Sequence, residues 1–461
     1  MEDDKDKRIL ELEHRIAELE SKSSGTASTR SDDCTETNPE ALGRQYNVSS
    51  KEAHPLSAIE PVHELSPNHI ERYSRQMILS NGFGVHGQLS LLSSSVLIIG
   101  AGGIGSTVIL YLAASGIGRM GIVDFDVVEV SNLHRQVIHT TQRVGWNKAV
   151  SACYSVQQLN PSANCLAYNE EVTHENVERL VSSYDCIVDC SDNPRTRYLI
   201  NDACVLVGKP LVSGSAVGTE GQLTVYNSTK KEQSPCYRCL YPRPSATGQC
   251  RACSDAGVLG PVPGLIGILQ SMEVIKLLTG EGDTMDRRLL MYDSMSTNFM
   301  NIKKPPKQPK CPVCGPNATI KNMIDSRESL LTADGPRRIA APSQLPDSLQ
   351  VTCQEYHKIR ESQTEHILLD VRVKTQFDLC ALPGSVHIPM AELVQQLEKV
   401  EGISKGKLPI FCLCRRGVDS VEAVRVLQEA RPSHPGIHSV QNIRGGLDQW
   451  RQTVNPAFPK Y

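Results

Sequence analysis

No later stretch of this sequence shows the run of roughly 18 apolar residues that a membrane span requires, and the opening Met1-Glu-Asp-Asp-Lys5 lacks the apolar core of a secretory signal. Both absences argue against a membrane protein, and a soluble, cytosolic chain is expected. An excess of one charge is also missing. The 48 Lys and Arg face 51 Asp and Glu, a net charge of −3, which excludes a general polyanion binder and gives no reason to expect direct nucleic-acid binding. Cysteine, by contrast, is abundant, with 16 residues. Because the cytosol keeps thiols reduced, these cysteines need a purpose other than structural disulfides. Eight fall in close pairs: Cys236 with Cys239, Cys250 with Cys253, Cys311 with Cys314, and Cys412 with Cys414. Scattered ones inside apolar runs, such as Cys186 and Cys190, read as small core residues.

The length of 461 residues suits about three domains. In residues 1–22, Ile9, Leu12, Ile16 and Leu19 recur at spacings of three and four, the pattern of a short amphipathic helix. Residues 23–66, rich in Ser, Thr, Asn and Pro without periodicity, read as a disordered linker. From Ser95 onward a strand (Val96–Ile99), a glycine turn, a helix (Ser106–Ser115) and a strand (Gly121–Asp124) open a parallel α/β sheet, continued by Cys186–Asp189 and Pro210–Ser213. This Rossmann-like domain is assigned residues 67–320. Residues 321–346, with Pro336 and Pro342, read as a coil linker with a reach of about 25 to 30 Å. Residues 347–461 then form a smaller α/β domain with strands at Ile367–Asp370 and Leu408–Phe411 and a helix from about Ser420 to Ala430.

Three groups of residues carry chemistry. The first is Gly100-Ala-Gly102-Gly103-Ile-Gly105, set between strand and helix, where glycines let the backbone approach phosphate. Asp124 follows where an acidic residue binds ribose hydroxyls. That pattern suits a nicotinamide dinucleotide as well as ATP. The downstream set Ser131, Asn132, Leu133, His134 and Arg135, with Lys148, favours ATP, because two cations and an amide match a triphosphate and its departing pyrophosphate. Asp192 and Asn193 are candidate Mg2+ ligands. The second group is Cys236-x-x-Cys239 and Cys311-x-x-Cys314, two half-sites for one tetrahedral zinc. Cys250-x-x-Cys253, in a Pro- and Gly-rich loop, reads either as a further half-site or as a reactive dithiol. The third group is Cys414-Arg-Arg-Gly-Val-Asp-Ser420. A loop feeding a helix N-terminus offers backbone amides and a positive dipole end to a thiolate or persulfide. Arg415 and Arg416 add positive potential, and Gly417 lets the loop curl. Cys412 is expected to be buried and structural.

The glycine motif, Asp124-Phe-Asp126, Ser131-Asn-Leu-x-Arg-Gln136, Lys148, Asp189-Cys-Ser-Asp-Asn193 and Glu71-Arg-Tyr-Ser-Arg-Gln76 together resemble the adenylating domain of ubiquitin-activating enzymes and their molybdopterin-synthase-activating bacterial relatives, over residues 67–316. Leu368–Arg372, Gly384–Pro389 and Cys414–Ser420 resemble the rhodanese-type sulfurtransferase domain. In this order the two domains are similar to the eukaryotic molybdopterin synthase sulfurylase family.

The resemblance implies a homodimer in which Arg75 reaches the phosphates of the other subunit. It gives Gly103, Arg135 and Lys148 to ATP, Asp192 to Mg2+, Cys236, Cys239, Cys311 and Cys314 to one zinc, and a reactive role to Cys253 beside Cys414. Its substrates are ubiquitin-like sulfur carriers ending in Gly-Gly, namely the molybdopterin synthase small subunit and the ubiquitin-related modifier. The sulfur comes from a cysteine desulfurase or another persulfide donor, and the thiocarboxylate product serves molybdenum cofactor biosynthesis and tRNA 2-thiolation. Asp419 beside the sulfur disfavours an anionic donor such as thiosulfate. Whether a thioester on Cys253 comes first is left open. Two other readings remain at this stage: a nicotinamide-dependent oxidoreductase with a redox-sensing tail, and a non-enzymatic zinc scaffold for carrier proteins.

Overall fold

The computed structural model describes residues 65–79, 82–228, 234–243, 257–333 and 345–461. The expected helix at 1–22, nearly all of the 23–66 linker, and Cys250 and Cys253 lie outside the described residues. In the first domain an eight-stranded sheet has the order β3-β2-β1-β4-β5-β6-β7-β8. Its strands are β1 (Ser95–Ile99), β2 (Arg119–Val123), β3 (Asn164–Tyr168), β4 (Cys186–Asp189), β5 (Leu211–Val217), β6 (Glu220–Tyr226), β7 (Arg288–Asp293) and β8 (Asn298–Lys303). Strands β1 to β5 pair in parallel, and β6 to β8 add an antiparallel edge. Every residue of β1, β2 and β4 is buried, as expected for parallel strands covered by helices on both faces. Strand order reverses between β1 and β4, which opens a crevice at their carboxyl ends, where nucleotides bind in doubly wound sheets.

The helix Pro261–Thr279 has 19 residues and a mean hydropathy of 1.3, enough by length and composition for a membrane span. It is not an unbroken apolar run, since Gln270, Ser271, Glu273 and Lys276 interrupt it. Its apolarity serves the core: Val262, Ile266, Val274 and Leu277 are buried, and the Gln270 amide donates to the carbonyls of Asp189 and Val212, tying the helix to β4 and β5.

The linker departs from the expected coil. Residues Met323–Ala333 form a helix, so the reach computed for a 25-residue coil does not apply. The physical reason is a local cap together with two tertiary contacts. Asn322 Oδ1 accepts from the N–H groups of Ile324 and Asp325, both at 2.9 Å, as a helix cap. Met323 is buried in the core, and Ser326 Oγ donates to Asp202 at 2.7 Å. Pro336 and Pro342 fall after this helix, outside the described residues.

The second domain is a five-stranded parallel sheet in the order β11-β10-β12-β13-β9. Its strands are β9 (Gln350–Val351), β10 (Ile367–Asp370), β11 (Ser385–His387), β12 (Ile410–Leu413) and β13 (Val440–Ile443). Leu369, Cys412 and Val440 pack on one side, while Leu368, Phe411, Ile443 and Trp450 pack on the other. Strand β12 ends directly before Cys414, which is how the sheet delivers that residue to a loop.

Candidate active sites

At the reversal of strand order lies a cavity of about 630 Å³, lined by Gly100, Gly102 and Gly103 from the loop after β1, by Asp124 after β2, and by Asp192 after β4. Its floor is a turn that excludes side chains: a Cβ on Gly105 would stand 2.0 Å from the Gly100 carbonyl oxygen. Asp124, assigned to ribose, also holds this loop. Its Oδ2 accepts from the Ala101 N–H at 2.8 Å and its Oδ1 from the Asp126 N–H at 2.9 Å. Burial raises its pKa above the usual carboxylate value, opposed by the positive charge of Lys148 and by these backbone donors.

Lys148 opens the helix Lys148–Leu159, whose cap is Asn147. Its side chain is nearly buried, and Nζ sits 2.8 Å from Asp126 Oδ2. Arg135 also lines the cavity and donates from Nη2 to Asn132 Oδ1 at 2.6 Å. His134 Nδ1 lies 3.1 Å from the Ser131 carbonyl oxygen, and because a carbonyl only accepts, that nitrogen carries the proton. Its Nε2 then accepts from Arg135 Nη1 at 3.3 Å. Asn132 and His134 therefore brace Arg135, while Ser131, Asn132, Leu133 and His134 themselves are not among the lining residues. Asp192 and Asn193 are both exposed at the rim. Asn193 Oδ1 accepts from the Arg195 N–H at 3.0 Å and caps the helix Pro194–Val207. Arg75, in the last turn of the helix Pro67–Met77, is exposed and does not line this cavity.

Sequence reasoning missed Arg197, which lines the cavity and donates to the carbonyls of Ser191 and Gly214 at 3.0 and 3.1 Å. Only its place one helical turn after Asn193 could have pointed to it. It also missed Glu170, which lines the cavity just beyond β3.

The four cysteines Cys236, Cys239, Cys311 and Cys314 converge, with their sulfurs all within 4.8 Å of one another. Cys236 to Cys311 is 3.6 Å, Cys239 to Cys314 is 3.4 Å and Cys236 to Cys239 is 3.9 Å. A tetrahedron of four thiolates at about 2.3 Å from a zinc ion has edges of about 3.8 Å, so these residues fit a metal. The Gln308 N–H donates to Cys239 Sγ at 3.3 Å, as expected for a sulfur carrying negative charge. Within the cluster, hydrogen bonds among the sulfurs push the Cys239 and Cys311 thiols down and the Cys236 and Cys314 thiols up.

In the second domain Cys414 is buried, at 1% exposure. Its Sγ receives the Gly417 N–H at 3.1 Å and lies 3.3 Å from Ser420 Oγ, which donates to Asn442 Oδ1 at 2.7 Å. Gly417 has φ +81°, and a Cβ there would meet the Gly445 nitrogen at 2.8 Å, so only glycine permits this curl. The loop leads into the helix Asp419–Ala430. Arg415 extends past the sulfur loop to Asp448 Oδ2, 3.8 Å away, and to the Tyr461 ring, 5.1 Å from its guanidinium carbon. Arg416 and Asp419 are exposed. Cys412 is fully buried in the core, and desolvation raises its pKa well above the ordinary thiol value.

A glycine-floored cavity lined by Arg135, Lys148 and Arg197 at a sheet reversal, followed by a cysteine cradled by backbone amide in a second α/β domain, fits an adenylating enzyme joined to a sulfurtransferase. Comparison with known proteins agrees. Residues 73–313 match the ThiF family and residues 352–453 the rhodanese-like domain. The adenylyltransferase and sulfurtransferase MOCS3 of Arabidopsis thaliana is 41% identical over 470 aligned residues, covering 98% of this chain and 95% of that protein. The protein of the same description from Danio rerio is 39% identical and covers 98% of each. Among solved structures, E. coli MccB with MccA-N7isoASN aligns at 24% identity and a TM-score of 0.48, over 53% of this chain and 74% of that one. The chain belongs to the MOCS3 family of adenylyltransferases and sulfurtransferases, and neither the oxidoreductase nor the scaffold reading is favoured.

Proposed function

We propose that this chain activates the C-terminal glycine of ubiquitin-like sulfur carriers and converts it to a thiocarboxylate. The observation that carries this reading is the presence, in one chain, of a phosphate-type cavity holding Arg135 and Lys148 and of a buried cysteine whose sulfur accepts a backbone N–H. A carboxylate is a poor electrophile, so the first step transfers AMP from ATP to the carrier carboxylate and releases pyrophosphate. Lys148 and Arg135 stabilise the charge that develops on the phosphates. Magnesium, when bound, neutralises phosphate oxygens, and Asp192 is the carboxylate positioned at the rim to hold it. Zinc suits the four-thiolate cluster, one per chain, as a structural ion.

In the second step the terminal sulfur of a Cys414 persulfide attacks the adenylate carbonyl, forming an acyl disulfide and releasing AMP. The Gly417 N–H fixes the position of Cys414 Sγ, on which the terminal sulfur is carried. A thiolate at Cys253 then attacks Cys414 Sγ, freeing the carrier thiocarboxylate and leaving a Cys253–Cys414 disulfide for a cellular thiol to reduce. An initial thioester on Cys253 is the alternative order. The carriers proposed are the molybdopterin synthase small subunit and the ubiquitin-related modifier, serving molybdenum cofactor biosynthesis and tRNA 2-thiolation. A cysteine desulfurase or other protein persulfide supplies the sulfur, and the exposed Asp419 disfavours small anionic donors. We place the enzyme in the cytosol as a homodimer, with Arg75 directed to the other subunit's phosphates. Exchange of labelled pyrophosphate into ATP tests the reading: it should require a carrier ending in Gly-Gly, and exchange with a carrier lacking that terminus would reject it.

A further inference from the structure

His139 belongs to none of the groups described so far, yet it joins two of them. Its ring is buried, at 5% exposure, and both nitrogens are engaged: Nε2 lies 2.9 Å from the Ala101 carbonyl oxygen and Nδ1 2.9 Å from Ser151 Oγ. Since a carbonyl only accepts, Nε2 carries the proton and Nδ1 accepts from the Ser151 hydroxyl. A single neutral tautomer satisfies both contacts. Burial lowers the pKa of the ring to about 4, and the charges of Arg143 and Lys148 act in the same direction. The imidazole is therefore neutral at physiological pH.

Ala101 stands between Gly100 and Gly102 in the phosphate loop. Its N–H is fixed by Asp124 and its C=O by His139. The peptide that carries this C=O also carries the Gly102 N–H, and in a planar trans peptide the two point in opposite directions. Holding the carbonyl therefore aims the amide. Such an anchor matters here because a peptide followed by glycine flips with little steric resistance, and a flip would present an oxygen where phosphate needs a donor. The other end of the bridge, Ser151, lies one turn into the helix that begins at Lys148. Arg143 fixes the same segment, donating to the Ser151 carbonyl, to Ser155 Oγ at 2.7 Å and to the Ile138 carbonyl at 2.8 Å.

We propose that His139 is a positioning residue for the nucleotide: it locks the Ala101–Gly102 peptide with its N–H available to phosphate and sets that loop in register with the helix bearing Lys148. This rests on reading the cavity as the ATP site. The test uses the full chain, MgATP and a Gly-Gly carrier, with pyrophosphate exchange as the readout. His139→Ala should raise the KM for ATP about tenfold or more and leave the KM for the carrier within about twofold. In His139→Gln the amide nitrogen can still donate to the Ala101 carbonyl, so most of the ATP affinity should return. Ser151→Ala keeps the ring and frees its tautomer, with a smaller rise of about two- to fivefold. This variant decides the matter should His139→Ala fail to fold. An unchanged KM for ATP in His139→Ala, an equal rise in both KM values, or no recovery in His139→Gln would overturn the proposal while wild-type exchange upheld the ATP reading. Absence of exchange in the wild type would remove that reading, and the proposal with it.

Discussion

Replacing Lys148 with Met separates what this lysine does for the fold from what it does for chemistry. The Lys148 side chain is 7% exposed, and its charge is met by Asp126, whose own side chain is 54% exposed. Met keeps the apolar stem that packs in the pocket. The partner left behind remains in contact with water, so the loss resembles that of a surface ion pair, at about 1 kcal/mol or less. For a domain of this size that moves the unfolding midpoint by about 4 °C at most. On the role proposed for Lys148 the chemical cost is larger, because the lost cation would face charge that develops only as pyrophosphate leaves. Removing one such stabilising group typically lowers kcat by a factor of about 100 to 1,000. Carrier-dependent pyrophosphate exchange should therefore fall by that factor in Lys148→Met, while sulfur loading of Cys414 from a persulfide donor stays at the wild-type rate. Exchange within about threefold of wild type, in a variant with an unchanged melting curve, would refute the assignment of Lys148 to the phosphates.

Three further outcomes follow from the same structure. Cys236→Ser should lose the bound metal, measured as zinc per chain by elemental analysis, and unfold at lower temperature, because the four sulfurs close one site. Gly417→Ala should be less stable by about 1 to 2 kcal/mol, from the left-handed backbone alone, and should hold less sulfur on Cys414 in a mass-spectrometric assay, because the added Cβ meets Gly445 and forces the loop to shift, moving the residue-417 N–H away from Sγ. The stability of the first domain should fall on acidification. His139 has a folded pKa of about 4 against the ordinary histidine value of 6.5, so the unfolded chain binds the proton more tightly. Stability from this group is complete above pH 6.5 and is lost as pH falls toward 4, by roughly 3 kcal/mol. Urea titrations across that window should show a shallower slope in His139→Gln.

The parts of this molecule that could be read from sequence are those whose chemistry is local. The glycine motif between β1 and its helix, and the cysteine loop between β12 and its helix, each place their defining residues within six or seven positions, so the strand-turn-helix context and the reactive groups are visible together. The cysteine knuckles were legible as pairs, but their convergence across the 75 positions that separate Cys236 from Cys311 is a property of the fold. The helix Met323–Ala333 was hidden because two later prolines dominated the composition, whereas its cap at Asn322 and its anchor on Asp202 depend on one side chain and on a residue 124 positions away. Asp124 and Asn193 match their motif positions, yet hydrogen bonds to Ala101 and Arg195 give them structural work that spacing does not reveal. His139 reads as an ordinary residue in a polar stretch, since its partners lie 12 and 38 positions away.

The central claim is that one chain activates a carboxylate in its first domain and supplies sulfur from Cys414 in its second. The most direct measurement follows the carrier by mass spectrometry in a reaction with MgATP and a protein persulfide donor, comparing wild type with Cys414→Ala. The account predicts carrier thiocarboxylate from the wild type only when ATP is present, and from Cys414→Ala a carrier adenylate without thiocarboxylate. Thiocarboxylate formed by Cys414→Ala at the wild-type rate, or by the wild type without ATP, would contradict it.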